Sequence, residues 1–103
     1  MRYSLRQLQI FDAVARDLSY TRAAEALHLT QPAVSKTLKE LEDALGAPLM
    51  TRGRAGIALT EAGAVFLPFA EQSLAALGHG LDGVARLAEG VGARRSATKS
   101  AIV

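Results

Sequence analysis

The chain has 103 residues, half of them hydrophobic, which is room for one small domain or one domain plus an appended element. It has no cysteine, and its two histidines, His28 and His79, stand far apart without ligand-like neighbours, so disulfides, metal sites and cofactors are not expected. The net charge is only +2, with eight Lys/Arg against six Asp/Glu in residues 1–60 and four against four in residues 61–103, a basic excess too small to indicate nucleic acid by itself.

Ser4 opens the first predicted helix, with Gln7 completing a capping box. Leu5, Leu8, Phe11, Val14 and Leu18 follow at helical spacing and define one buried stripe. Polar residues Arg6, Gln7, Gln9 and Asp12 break up this N-terminus too soon for a signal sequence. No segment approaches the ~18 apolar residues of a membrane span, so a cytoplasmic protein without membrane contact is expected.

Thr21 is the expected cap of a second helix over residues 22–27, whose Ala23, Ala24 and Ala26 allow a neighbour to approach closely. Thr30 caps a third helix over residues 31–45, with Pro32 tolerated in its first turn. Val34, Leu38, Leu41 and Leu45, spaced four, three and four, form its buried stripe; Gly46 supplies a left-handed cap and Pro48 prevents resumption. Two helices joined by so short a turn have the layout of a helix-turn-helix, which seats its second helix in the DNA major groove.

The third helix places Lys36 and Lys39 in its N-terminal half and Glu40, Glu42 and Asp43 toward its C-terminus, an order that opposes the helix macrodipole. Two readings stand side by side: an N-terminal half shaped to meet phosphates, or a solvated polar face whose order is accidental.

Leu49–Thr51 and Ile57–Leu59 flank a glycine-rich tip and predict a β-hairpin. Arg52 and Arg54 on that tip suit insertion into a minor groove, against the plainer reading of a solvated surface hairpin. Thr60 then caps a long helix running to about Glu89, with Glu61 in its first turn. Leu67, Ala70, Leu74, Leu77, Leu81, Val84 and Ala88 alternate three and four apart as a heptad seam, and dimerisation is favoured over packing back on the body. Pro68, at ~3 kcal/mol for a mid-helix proline, predicts a bend, and Gly78, Gly80 and Gly83 predict close approach of a partner or a break near residues 78–80. Residues 91–103 read as a flexible hinge or tail, where Arg94, Arg95 and Lys99 are more simply solvated than bound to phosphate.

Three segments together, LRQLQIFDAVA, YTRAAEALHLTQPAVSKTLKELEDALGAPLMTR and GIALTEAGAVFLPFA, resemble the N-terminal DNA-binding domain of LysR-type transcriptional regulators over about residues 3–90. The resemblance implies a mainly α fold: a winged helix-turn-helix over residues 1–60, with three helices and a two-stranded hairpin wing, then a linker helix over residues 61–90. It implies a bacterial regulator that binds a pseudo-palindromic operator in double-stranded DNA as a homodimer through antiparallel linker helices. Full-length members add a small-molecule-sensing domain and many form tetramers. That domain is missing here, so a fragment is expected, one that takes no small molecule.

Carried over residue by residue, Gln31, Pro32, Ser35 and Lys36 match the positions that face base edges or nearby backbone. Thr21, Arg22, Thr30 and Lys39 look like phosphate contacts, Arg52 and Arg54 fall in the wing over residues 51–57, and Leu67, Ala70, Leu74, Leu77, Leu81 and Val84 lie along the dimer seam. The sequence departs from the family pattern at Met50, where Phe is common, at Ala55 and Ala58, where basic residues are frequent, and at Lys36, where Arg is frequent. Three rivals remain: a nonspecific architectural DNA binder, a helical protein–protein module and an enzyme. The enzyme is weakest, since no nucleophile–base pair, carboxylate dyad or phosphate loop is present and no catalytic residue is assigned.

Overall fold

The computed structural model describes residues 2–94, with side chains through Gly90. Its elements run α1 (Leu5–Asp17), α2 (Tyr20–Leu27), α3 (Gln31–Leu45), β1 (Met50–Gly53), β2 (Gly56–Leu59) and α4 (Glu61–Arg94). This is the expected mainly helical architecture of three helices, an antiparallel hairpin and a long closing helix.

Local polar contacts set the helix ends. The Ser4 hydroxyl accepts from the Gln7 amide at 3.2 Å and the Gln7 side chain accepts from the Ser4 amide at 2.9 Å, completing the capping box. Thr30 caps α3 by accepting from Ala33 N, and Gly46 ends it at φ 79°. The start of α2 differs from expectation: Ser19, not Thr21, is the cap, accepting from Arg22 N at 3.0 Å. Leu18 ends α1 in the left-handed region (φ 49°), which turns the chain at once and leaves Ser19 as the extended residue before the next helix. Thr21 is therefore an exposed first-turn residue.

The core gathers Ile10, Phe11 and Val14 of α1, Ala23 and Ala24 of α2, Val34, Leu38 and Leu41 of α3, with Leu49, Met50 and Ala70 closing it. The terminal leucines of the predicted first stripe, Leu5 and Leu18, are exposed, and α4 packs along α1. There the Phe11 and Phe66 rings stack with centroids 5.7 Å apart.

One corner joins the recognition-type helix, the hairpin and α4. The Glu42 carboxylate accepts from Leu49 N at 2.6 Å and Met50 N at 3.2 Å. The Thr60 hydroxyl donates to Pro48 O at 2.6 Å and accepts from Gly63 N at 2.9 Å, while Thr60 N donates to Leu49 O at 2.9 Å. Gly63 is buried directly against the Leu49 carbonyl.

The last helix is uninterrupted through Pro68, Gly78, Gly80 and Gly83 and extends to Arg94, past the expected end near Glu89. Of the two readings of these glycines, the break near residues 78–80 does not occur. Among the described residues no atom lies within 4 Å of where a Cβ at Gly78 or Gly80 would stand, so neither glycine serves a close approach there. At ~1.5 Å per residue the helix is roughly 50 Å long, about twice the 25 × 21 Å cross-section of the molecule, so its C-terminal half overhangs the core. The tail expected beyond residue 94 lies outside the described residues.

Gly63→Ala should be severely destabilising. Its Cβ would overlap the Leu49 carbonyl, a backbone atom pinned by Thr60, and overpacking of this kind costs about 3 kcal/mol. Urea unfolding checks it; a loss below about 0.5 kcal/mol would show that the corner relaxes freely.

Candidate nucleic-acid interface

Helices α2 and α3 are joined by a turn in which His28 adopts φ 57°, its N–H bonding Glu25 O at 3.2 Å and the Leu29 N–H bonding Ala24 O at 2.9 Å. These bonds satisfy the last carbonyls of α2 and start α3 in a fixed direction. Val34, Leu38 and Leu41 face the core from α3. Pro32, Lys36, Lys39 and Asp43 repeat the same four–three–four spacing two residues out of phase, about 200° around the helix, and all are exposed. Gln31 is exposed beside them and Ser35 is half-buried at the edge of this row. Thr21 and Arg22 of α2 and the cap Thr30 are also exposed. The Thr30 oxygen accepts from Ala33 N, which leaves its hydroxyl hydrogen free to donate outward.

The charge order of α3 has local partners. Lys36 pairs with Glu40 at 3.1 Å and Lys39 with Asp43 at 2.6 Å, each one turn along the helix. Both pairs are solvent-exposed and in the weaker of the two orders, so they add little to stability. The hydrogen bond that Lys39 donates to the Asp43 carboxylate, together with that carboxylate's charge, holds the Lys39 ammonium above its ordinary range, so Lys39 is charged throughout neutral pH. Glu42 is different: its carboxylate turns to the Leu49 and Met50 amides and serves the fold. Sequence order places the three acids together, and only the tertiary contact separates them.

The hairpin pairs Met50 with Leu59 and Gly53 with Gly56, leaving Arg54 and Ala55 as the turn and Gly56 at φ 107°. Arg54 is exposed at the tip. Arg52 is not at the tip: it lies in β1 opposite Ile57, and its guanidinium carbon sits 4.4 Å from the centre of the Tyr20 ring. The two wing arginines are thereby separated in environment, a distinction the sequence spacing does not carry.

The expected seam on α4 divides as well. Ala70 is 1% exposed in the chain's own core and Leu67 is half-buried against it. Heptad spacing marks an apolar stripe but not what covers it, and the first turns of α4 lie on α1. Leu74 is half-buried beside Leu5 and Ala13, whereas Leu77 (42%), Leu81 (61%) and Val84 (66%) are exposed. Phe69 (62%) and Leu87 (71%), both off the predicted seam, widen this apolar surface. Among the described residues no helix is long and apolar enough to cross a membrane, and no cluster of metal-ligating side chains occurs.

The family profile described as "Bacterial regulatory helix-turn-helix protein, lysR family" matches residues 5–64, from the start of α1 through the first turn of α4. The chain belongs to the LysR family. It is 59% identical over 63 residues to the RuBisCO operon transcriptional regulator of Allochromatium vinosum, covering 61% of this chain and 21% of that protein. It is 46% identical over 91 residues to the transcriptional regulator PcaQ of Agrobacterium fabrum, covering 88% of this chain and 29% of that one. The chain thus spans less than a third of the length of these LysR relatives, which are named as transcriptional regulators rather than enzymes. Among solved structures, the BenM DNA-binding domain in complex with catB site 1 DNA superposes with a TM-score of 0.78 at 32% identity, over 84% of this chain and 97% of that one. Full-length CbnR complexed with its target DNA superposes with a TM-score of 0.71 at 39% identity, over 78% and 28%.

Within this LysR-family domain the three acids of α3 should respond differently to removal. Glu42→Ala leaves two backbone N–H groups without their charged acceptor and should cost about 2 kcal/mol, whereas Glu40→Ala, which breaks an exposed pair, should stay within about 0.5 kcal/mol. Thermal denaturation of the two variants checks the difference.

Proposed function

We propose that this LysR-family domain binds double-stranded DNA sequence-specifically as a homodimer, in the control of transcription. The observation that carries the reading is the exposed row on the N-terminal half of α3, held outward by a buried row two residues out of phase. In this reading α3 enters the major groove. Gln31 reads adenine, Lys36 donates to guanine acceptors, Pro32 meets a thymine methyl and Ser35 bonds a base edge or nearby backbone. Thr21, Arg22, Thr30 and Lys39 meet phosphates and set the docking angle. Lys36 and Lys39 must leave Glu40 and Asp43 to do so, at a small cost because both pairs are exposed. Arg54, at the tip of the hairpin, reaches the minor groove. The BenM and CbnR structures, both solved as DNA complexes, support this reading.

The overhanging half of α4 carries the dimer contact. Leu77, Leu81, Val84 and Leu87 expose apolar side chains on a helix that has left its own core. A second copy of the same helix, antiparallel, covers such a surface, and the resulting two-fold places two α3 helices on a pseudo-palindromic operator.

Selection of bound duplexes from a random pool, with the salt dependence measured on the best one, tests the reading directly. A defined half-site repeated with two-fold symmetry is expected; equal affinity for a scrambled duplex would mark a nonspecific, phosphate-driven binder instead. On the selected duplex, Gln31→Ala or Ser35→Ala should cost about 1–3 kcal/mol and relax preference at particular base pairs. Arg54→Ala should weaken binding most where an A·T-rich flank narrows the minor groove, and equal loss on G·C flanks would remove the minor-groove role. Leu81→Arg combined with Val84→Arg should give a folded monomer by light scattering; a persisting dimer would show that the contact lies elsewhere.

A further inference from the structure

We propose that Tyr20 and Arg52 are positioning residues for the wing. Their stacked contact fixes the angle at which the hairpin presents Arg54, and Arg52 acts through the Tyr20 ring rather than in the groove itself. The inference rests on the DNA-binding reading above and assigns a residue pair to it.

The hairpin is held firmly only at its base. There Leu49 and Met50 are buried and their amides are bound by Glu42, while Thr60 ties the returning strand to Pro48 and Leu49. Beyond that base, residues 51–56 are all exposed, and among the described residues the two four-residue strands have no further strand beside them. A two-stranded hairpin without sheet neighbours is marginal on its own, and at ~3.3 Å per residue its tip stands roughly 13 Å from the fixed base. A small hinge motion at the base is therefore a large displacement of Arg54.

Past the base, Ile57 packs partly against the core, and on its partner strand position Arg52 lies over Tyr20. The guanidinium carbon lies 4.4 Å from the ring centroid, well within the range of a cation–π interaction. Tyr20 is anchored independently of the wing: it is the first residue of α2, follows the cap Ser19 and is half-buried against the core. The ring thus belongs to the helix-turn-helix and the cation to the wing, so their stacking couples the two DNA-facing elements. Among the described residues no carboxylate pairs with Arg52, which leaves the aromatic face as its partner. A planar, weakly hydrated guanidinium suits that face better than an ammonium does.

The test is a double-mutant cycle on the full chain, read on the duplex selected from random sequence with an A·T-rich flank. Tyr20→Leu keeps apolar bulk but removes the ring and should weaken binding about 5- to 10-fold, while Tyr20→Phe keeps the ring and should bind as the parent does. Arg52→Met should match Tyr20→Leu, and the two together should lose no more than either alone. In an Arg54→Ala background Tyr20→Leu should have less than about a 2-fold effect, because the contact it positions is gone. Unchanged binding by Tyr20→Leu overturns the proposal, as does an equal loss with and without Arg54, which would mean that the ring supports α2 alone. A loss on Arg52→Met that persists undiminished in the Tyr20→Leu background also overturns it, since Arg52 would then touch DNA itself. Amide hydrogen exchange without DNA separates this inference from the functional reading: Tyr20→Leu should speed exchange in residues 50–59 and leave α1 and α3 unchanged. If that holds while the parent retains no duplex from the pool, the DNA-binding reading fails and the coupling of wing to α2 stands; unchanged exchange overturns the coupling whatever the DNA result.

Discussion

Glu42 is the pivot of the molecule. Its side chain leaves the last turn of α3 and accepts from the amides of Leu49 and Met50, so the direction of the first wing strand is set by the helix that precedes it. Thr60 repeats the device on the other side, tying the end of the second strand to Pro48 and Leu49 and capping α4. Charge-assisted bonds to backbone amides are short and directional. Placed at one corner, they join α3, the hairpin and α4 into one frame. Gly63 completes the corner because a side chain there would collide with the carbonyl that Thr60 holds.

Everything proposed for DNA hangs on that frame. The buried row of α3 fixes which residues point outward, and the corner fixes where the wing stands relative to them. The strengths are unequal. The surface ion pairs of Lys36 and Lys39 are weak and easily exchanged for phosphate, whereas the bonds of Glu42 are part of the fold. A protein that must release cations to a ligand without loosening its scaffold has reason to keep those two classes of contact apart. The long helix divides its labour along its length: its first turns cover α1 through Phe66 and Ala70, and its last turns overhang with Leu81, Val84 and Leu87 uncovered.

Local signals in the sequence carry much of this. Capping residues at Ser4 and Thr30, glycine at position 46, the apolar row of α3 and the glycine-flanked hairpin act through bonds within a few residues of themselves, so their meaning survives without the fold. The misplaced start of α2 is instructive. Ser19 and Thr21 are both competent caps, and the choice between them was made by Leu18, which takes a left-handed conformation that leucine does not advertise.

What the sequence determined by itself is the set of elements, their order and the residues on the outer row of α3, because helical periodicity and capping are short-range and directional. What only the tertiary structure decided is which neighbour each long side chain meets. Three acids within four residues became partners in two exposed ion pairs and one backbone anchor, and two wing arginines became one tip and one cation stacked on Tyr20. A single heptad stripe became core at Ala70 and open surface at Val84. The physical reason is common to all three. Spacing along a chain reports which residues share a face, but coverage of that face is set by elements distant in sequence, and burial, hydrogen bonding and stacking are properties of the pair.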